Sequence, residues 1–221
     1  RYDEFVNEAL SRKGLSKEVM GDFLPTILDI ILAEDGTDPV QMYESVMEEM
    51  ERRWELTEEM PLHAAWHHGM VPAILLRSLG NSGQLVGEED IKEAFHRGMM
   101  IPGGGCGFHG VCGAGNGLGI VASILLRATP LHDEERSVAL RMSGEAIRRI
   151  GEIGGVRCCP RATYATIQVA VSELGKIGYP LTATDPEGRC HFSDRNPNCA
   201  EDGCPFHPVD QANGPDPASD G

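Results

Sequence analysis

Aromatic side chains make up only 5% of this 221-residue chain, and no apolar run approaches the roughly 18 to 20 residues of a membrane span. The longest mostly apolar run, IVASILL at 120–126, is far too short. Basic residues are scarce as well: 19 Lys and Arg stand against 34 Asp and Glu, for a net charge of −15. An acidic surface repels phosphate backbones, and no basic patch is interleaved with aromatics, which argues against nucleic acid as a partner. Strand-like alternation is nearly absent, and no segment repeats. The opening stretch, RYDEFVNEALSRKGL, is charged and amphipathic, unlike a secretory leader.

Glycine and cysteine, by contrast, are plentiful. Seven cysteines is an odd number, and a domain of this length does not need disulfide staples. Reduced thiols in a cytoplasmic protein, serving as metal ligands or reactive groups, are the expectation.

Helical periodicity dominates the rest. A helix is expected across YDEFVNEALSRK, and a second from a Ser16 cap to Gly36 with a break at Pro25. A third follows the Asp38-Pro39 start, where Val40, Tyr43, Met47 and Met50 recur at helical spacing as a core stripe. PLHAAWHHGMVPAILLRSLG reads as a helix interrupted at Pro72, and further helices cover GEEDIKEAFHRGMM, IVASILLRA, HDEERSVALRMSGEAIRRIGEI and ATYATIQVAVSELGKIG. From Tyr179 the periodicity fades. The fold class expected is mainly α: a multi-helix globular domain with a glycine-rich Cys loop and an irregular metal-binding C-terminal segment. Its expected divisions are an N-terminal helical segment (1–58), a Cys/His-rich core domain (59–208) and a disordered acidic tail (209–221).

Four clusters carry chemistry. His63 and His67 are four apart and share a helix face with His68 beside them, a spacing able to chelate an ion or supply a general base. Core or capping histidines are the plainer alternative. The stretch GGGCGFHGVCGAGNGLG at 103–119 holds Cys106, His109 and Cys112. A dinucleotide fingerprint can be drawn through its glycines but lacks the preceding strand. Glycines with positive φ feeding a helix N-terminus would instead form an anion-binding nest, assigned to Gly113, Gly115 and Gly117, and would hold Cys112 as thiolate.

RCCPR at 157–161 places Cys158 and Cys159 side by side; adjacent side chains diverge, so one can be a ligand and the other a reactive thiol. Arg157 and Arg161 would favour thiolate there and bind an anion. Finally, Cys190, Cys199, Cys204 and His207 lie in CHFSDRNPNCAEDGCPFH, a spacing near that of a zinc finger and also suited to an iron–sulfur site. Metal ligands are thus expected at Cys106, Cys112, Cys158, Cys190, Cys199 and Cys204, and catalytic roles at His63, His67, His68, His109 and Cys159.

In combination, PLHAAWHHGMVPAILL, IPGGGCGFHGVCGAGNGLGIVASILLRATPL, GGVRCCPRATYATI and the terminal cysteine segment resemble a cysteine-rich prokaryotic family of unknown function, over roughly residues 60–208. The resemblance implies occurrence in anaerobic bacteria and methanogenic archaea, with an upstream methyltransferase or radical-SAM domain in some members. It implies that the His trio and all seven cysteines belong to the shared pattern, and that position 207 is aromatic at least as often as His. The order of glycine-rich Cys loop and buried helix is also similar, over fewer than thirty residues, to iron–sulfur serine dehydratases and cysteine desulfidases. Those use three Cys ligands and leave one iron open to substrate.

The function expected is an iron–sulfur (4Fe-4S) enzyme, a lyase or sulfur-transfer enzyme of anaerobic metabolism acting on a small anionic or sulfur-bearing molecule. Two alternatives stand beside it. One is a zinc- or cluster-stabilised accessory module that docks on a partner enzyme. The other is a thiol redox protein using Cys158 and Cys159.

Overall fold

Two helix starts in this chain, those of the second and fourth helices, are fixed by the side chain that precedes them. The computed structural model describes residues 2–11 and 14–208, leaving out the side chains of Phe5 and Ala9; the tail expected at 209–221 lies outside the described residues. After α1 (Tyr2–Ser11), the Ser16 hydroxyl accepts the Val19 N–H at 3.3 Å and opens α2 (Lys17–Asp22). The break comes at Phe23, two residues before Pro25, which sits in the first turn of α3 (Leu24–Ala33), where its missing N–H costs nothing. Asp38 accepts from the amides of Val40 and Gln41 and opens α4 (Pro39–Arg52), whose stripe of Val40, Tyr43, Met47 and Met50 is buried as expected.

The interruption expected at Pro72 does not occur: α5 (Trp66–Asn81) runs straight through it. A proline leaves the carbonyl four residues earlier, that of His68, without its helical donor. Gly98 of α6 (Glu88–Met99) presses its Cα against that carbonyl so closely that a Cβ would overlap it. Such Cα–H···O contacts recur at helix crossings. Reciprocally, a Cβ at Gly69 would lie 2.8 Å from the Phe95 carbonyl oxygen.

Beyond a one-turn α7 (Gly105–Phe108), α8 (Gly113–Leu125) uses glycine on two opposite faces. A Cβ at Gly117 would lie 2.8 Å from Pro72 Cδ, and one at Gly113 would overlap the His68 ring, so this face accepts α5. Two residues on, about 200° around the helix, Gly115 meets Ile150 and Gly119 meets Ser143 of α9 (Asp133–Ile153). Then α10 (Cys159–Leu174) packs on α5, α8 and α9, and a short 3-10 turn (Gly175–Ile177) leads into the irregular C-terminal segment.

That segment is tied down. Asp38 Oδ2 accepts both the Thr184 amide (2.7 Å) and its hydroxyl (2.6 Å), and Phe192 and Phe206 are buried against Tyr164. A single core cluster runs from Leu15 to Phe206. The fold is mainly helical; among the described residues there is no strand, and no helix is long and apolar enough to cross a membrane.

Candidate functional site

The N-terminus of α10 divides the cysteines into two sets. Cys158 is its N-cap, with extended backbone (φ −140°, ψ 108°), and Cys159 is its first helical residue, so the neighbouring side chains leave in different directions. Cys158 faces the C-terminal segment, where its charge would interact with those of Cys190, Cys199 and Cys204. Cys159 faces the glycine-rich loop, where its charge would interact with those of Cys112 and Cys106, as well as with that of its neighbour Cys158. All seven thiols are unpaired.

The four-thiol set is closed by backbone pairing. Cys190 N–H donates to Phe206 O at 2.7 Å and Gly188 N–H to Pro205 O at 2.9 Å, while the Cys199 sulfur lies 3.7 Å from His207 Nδ1. Asn196 donates from Nδ2 to Cys158 Sγ at 3.6 Å. Among the described residues, no three His, Cys, Asp or Glu side chains form a group that could hold a single metal ion.

The three-thiol set lies on or beside a cavity of about 820 Å³, which is lined by His63, His67, His68, Cys106, Cys112, Cys158, Cys159, Arg157 and Arg161. Segments far apart in sequence thus meet here: the start of α5, the glycine-rich loop and the RCCPR turn. Three expected residue groups stand elsewhere. His109 is exposed, its ring 5.5 Å from that of Tyr2, and does not line the cavity. Cys190, Cys199 and Cys204 are not part of the lining. Gly113, Gly115 and Gly117 are buried packing positions of a right-handed helix, not a nest; within 103–119, positive φ occurs at Gly104 (82°) and Gly110 (66°).

The thiols differ from expectation too. Helix amides of Gly115 and Ala114 pull the Cys112 pKa down, but burial is the larger effect and the net shift is upward. Burial likewise pushes Cys158 up despite Arg161, and Cys159 up to about 12 despite Arg157. Without a bound cation these are thiols, because desolvation outweighs the nearby positive charge.

Hydrogen-bond partners fix the tautomer of each of the three histidines. Ala64 O can only accept, so His67 donates to it from Nδ1 (3.1 Å) and its Nε2 accepts from the Tyr43 hydroxyl (3.1 Å). Both nitrogens are therefore occupied, which takes His67 out of the role of general base. His63 is reversed: Nδ1 accepts the Cys159 amide (3.3 Å) and Nε2 donates to Asn196 Oδ1 (3.0 Å). Through Asn196 it links the two thiol sets. His68 donates from Nδ1 to Ile101 O (3.0 Å), leaving the lone pair of Nε2 for the cavity. Burial lowers its pKa, so it is a neutral base near pH 7.

Full burial also lowers His67, to about 3. Its folded pKa lies below the unfolded value of about 6.5, so its stabilising effect is complete above that pH and is lost as pH falls towards 3. Denaturant unfolding between pH 7 and pH 4 should show His67→Gln losing an excess slope of up to about 1.4 kcal/mol per pH unit relative to the parent.

The family described as a family of unknown function, DUF5714, matches residues 27–207. The chain belongs to that family. The match takes in most of α3 and all of α4 as well as the stretch from about residue 60 that carries the cysteine and histidine motifs. It contains every cysteine and the His trio, whereas α1 and α2, which bring Tyr2, Val6, Leu10, Lys17 and Met20 to the cavity wall, precede it. No curated protein and no solved structure matches.

Two residues of this site gave no signal in the sequence. Asn196 sits in RNPN, which reads as a solvated turn, and Tyr43 reads as one more position of a core stripe. Their roles come from contacts across 133 and 24 residues of chain.

Proposed function

We propose that this member of DUF5714 is an iron–sulfur enzyme of a reducing compartment. Cys158, Cys190, Cys199 and Cys204 would hold the cluster, and the adjoining cavity would take a small anionic or sulfur-bearing substrate. One observation carries this reading: Cys158 belongs at once to the four-thiol set and to the wall of a cavity furnished with His68, Cys159 and Arg157.

The donor set fits such a group in type and number, since cubane clusters take four thiolates. A single zinc ion needs its sulfurs about 2.3 Å from one point. A cluster spreads the same donors over a larger body.

When bound, the cluster would supply Lewis-acid polarisation or an electron at the cavity wall. The chain's own contributions are proton handling and binding. Nε2 of His68 can take a proton from substrate, since its Nδ1–H is fixed on Ile101 O. His63 and Asn196 hold the RCCPR turn against the C-terminal segment, so the two thiol sets keep their relative place. Cys159 and Cys112 present buried neutral thiols to the same space. The expected sulfur-transfer chemistry would use one of these.

Anaerobic purification followed by iron and acid-labile sulfide analysis tests the reading. About four of each per chain, with visible absorbance that bleaches on reduction, is the expected result. A colourless protein containing neither would reject it. Stoichiometric zinc would favour the stapled accessory module.

A further inference from the structure

We propose that the cavity takes an anion with an apolar body: a medium-chain carboxylate or phosphate whose head pairs with Arg157 and Arg161. The inference rests on this cavity being the working site, but not on what the four-thiol set binds.

Charge balance is the first argument. Acidic residues outnumber basic ones, and several cations elsewhere are paired, Arg148 with Glu145 and Glu152, Arg97 with Glu93, Lys92 with Glu88 and Glu89, while among the described residues others such as Arg141 and Arg149 are not. Arg157 and Arg161 make no ion pair among the described residues. No Asp or Glu lines the cavity they share. In a chain with 34 carboxylates, that exclusion needs a reason, and a bound anion supplies one.

Arg161 is the sharper case. It is only 6% exposed, and its guanidinium lies against Gly155, where a Cβ would stand 2.8 Å from Nη1. Of its five donors, one is used, by Nη2 to Val156 O. A buried cation without a counter-charge is costly, by several kcal/mol in general, so an anion beside it is strongly favoured. A cluster on Cys158 could satisfy Arg161 alone. Arg157 is placed differently: its charge acts on His67, His68 and Cys159, on the substrate side.

Backbone fields do not decide the sign. The N-termini of α5, α8 and α10 reach the cavity, but so do the C-termini of α6 and α9, so the side chains set its charge.

The body of the ligand follows from the rest of the wall. Val6, Leu10, Met20, Leu24, Met99 and Ile150 line the cavity of about 820 Å³. That volume is in the range of sites for drug-sized ligands. Inorganic phosphate or acetate would leave this apolar wall wet, whereas a hydrocarbon body would dry it.

Full-length protein should be titrated with decanoate, decyl phosphate, decanol and acetate, read by calorimetry and by the fluorescence of Trp66, which lines the cavity. At least one of the two long-chain anions should bind about tenfold or more tighter than both decanol and acetate, and which one identifies the head group. Arg157→Gln and Arg161→Gln should each weaken that anion about tenfold and leave decanol unchanged. Should Arg161→Gln fail to fold, Arg157→Gln decides, since its side chain is exposed. Anions binding no better than decanol, or an Arg157→Gln protein with unaltered affinity, would overturn the proposal. Iron measured on the same samples keeps the two ideas apart: anion binding without iron sinks the cluster alone, and iron without anion binding sinks this inference alone.

Discussion

Gly98→Ala should destabilise the fold by about 3 kcal/mol or more, the upper end of what overpacking costs. Most inserted methyl groups meet the movable end of a side chain. This one meets backbone: the added Cβ would overlap the His68 carbonyl and stand 2.7 Å from Gly69 Cα. Neither α5 nor α6 can yield locally, because Gly69 is itself pressed against the Phe95 carbonyl on the other side of the crossing. The helices would have to separate along their length, opening a core in which Met70, Ile74 and Phe95 are buried. Against a total stability of about 5–15 kcal/mol, that is a large share. Urea unfolding measures it. Gly144→Ala is the control: it is exposed in the middle of α9 with nothing within 4 Å, and should stabilise by about 0.5 kcal/mol through helix propensity. If both alanines behaved alike, the close α5–α6 approach would be wrong.

Cys158→Ser and Cys159→Ser, one residue apart, should behave oppositely in iron retention. Loss of an outer-shell partner already costs metal affinity about 10- to 100-fold, so loss of a ligand costs at least that much. Under the proposed function Cys158→Ser therefore purifies with little iron. Cys159→Ser, on the cavity side, keeps close to the parental amount. Iron content and circular dichroism on both proteins check this, the second guarding against misfolding. Equal loss in both would mean one shared centre, and full retention in Cys158→Ser would remove that residue from the ligand set.

Much of the helical fold was legible from the sequence, because its signals are local. Asp38 before Pro39, Ser16 before a helical stripe, and the spacing of Val40, Tyr43, Met47 and Met50 each act within a turn or two. The continuity of α5 through Pro72 is not legible, for the complementary reason. Whether a proline breaks a helix depends on what meets the freed carbonyl, and here that is Gly98, 30 positions from His68. The glycines of 113–119 failed in the same way: permissive φ and absence of a side chain are both properties of glycine, and only the neighbours α5 and α9 determine which one is used.

At the site, the residue types were readable but their grouping was not. That Cys158 and Cys159 diverge follows from their being adjacent. That one joins Cys190, Cys199 and Cys204 and the other joins Cys106 and Cys112 follows from how α10 docks. Expected thiolates became buried thiols because local charge can be read from a sequence and desolvation cannot. The partner of His67 Nε2 is not legible in the sequence, because the Tyr43 hydroxyl that occupies it comes from another helix.

The order in which the four thiols leave the ribosome has a consequence of its own. Cys158 emerges after α5, α6, α8 and α9 are complete, and Cys190, Cys199 and Cys204 follow near the end of the described chain. The glycine-mediated crossings among those helices need none of them. Under the proposed function, a cluster would join helices whose glycine-mediated crossings do not need it, unlike the ion of zinc fingers, which are unfolded without it. Loading would then be a step separate from building the helical body.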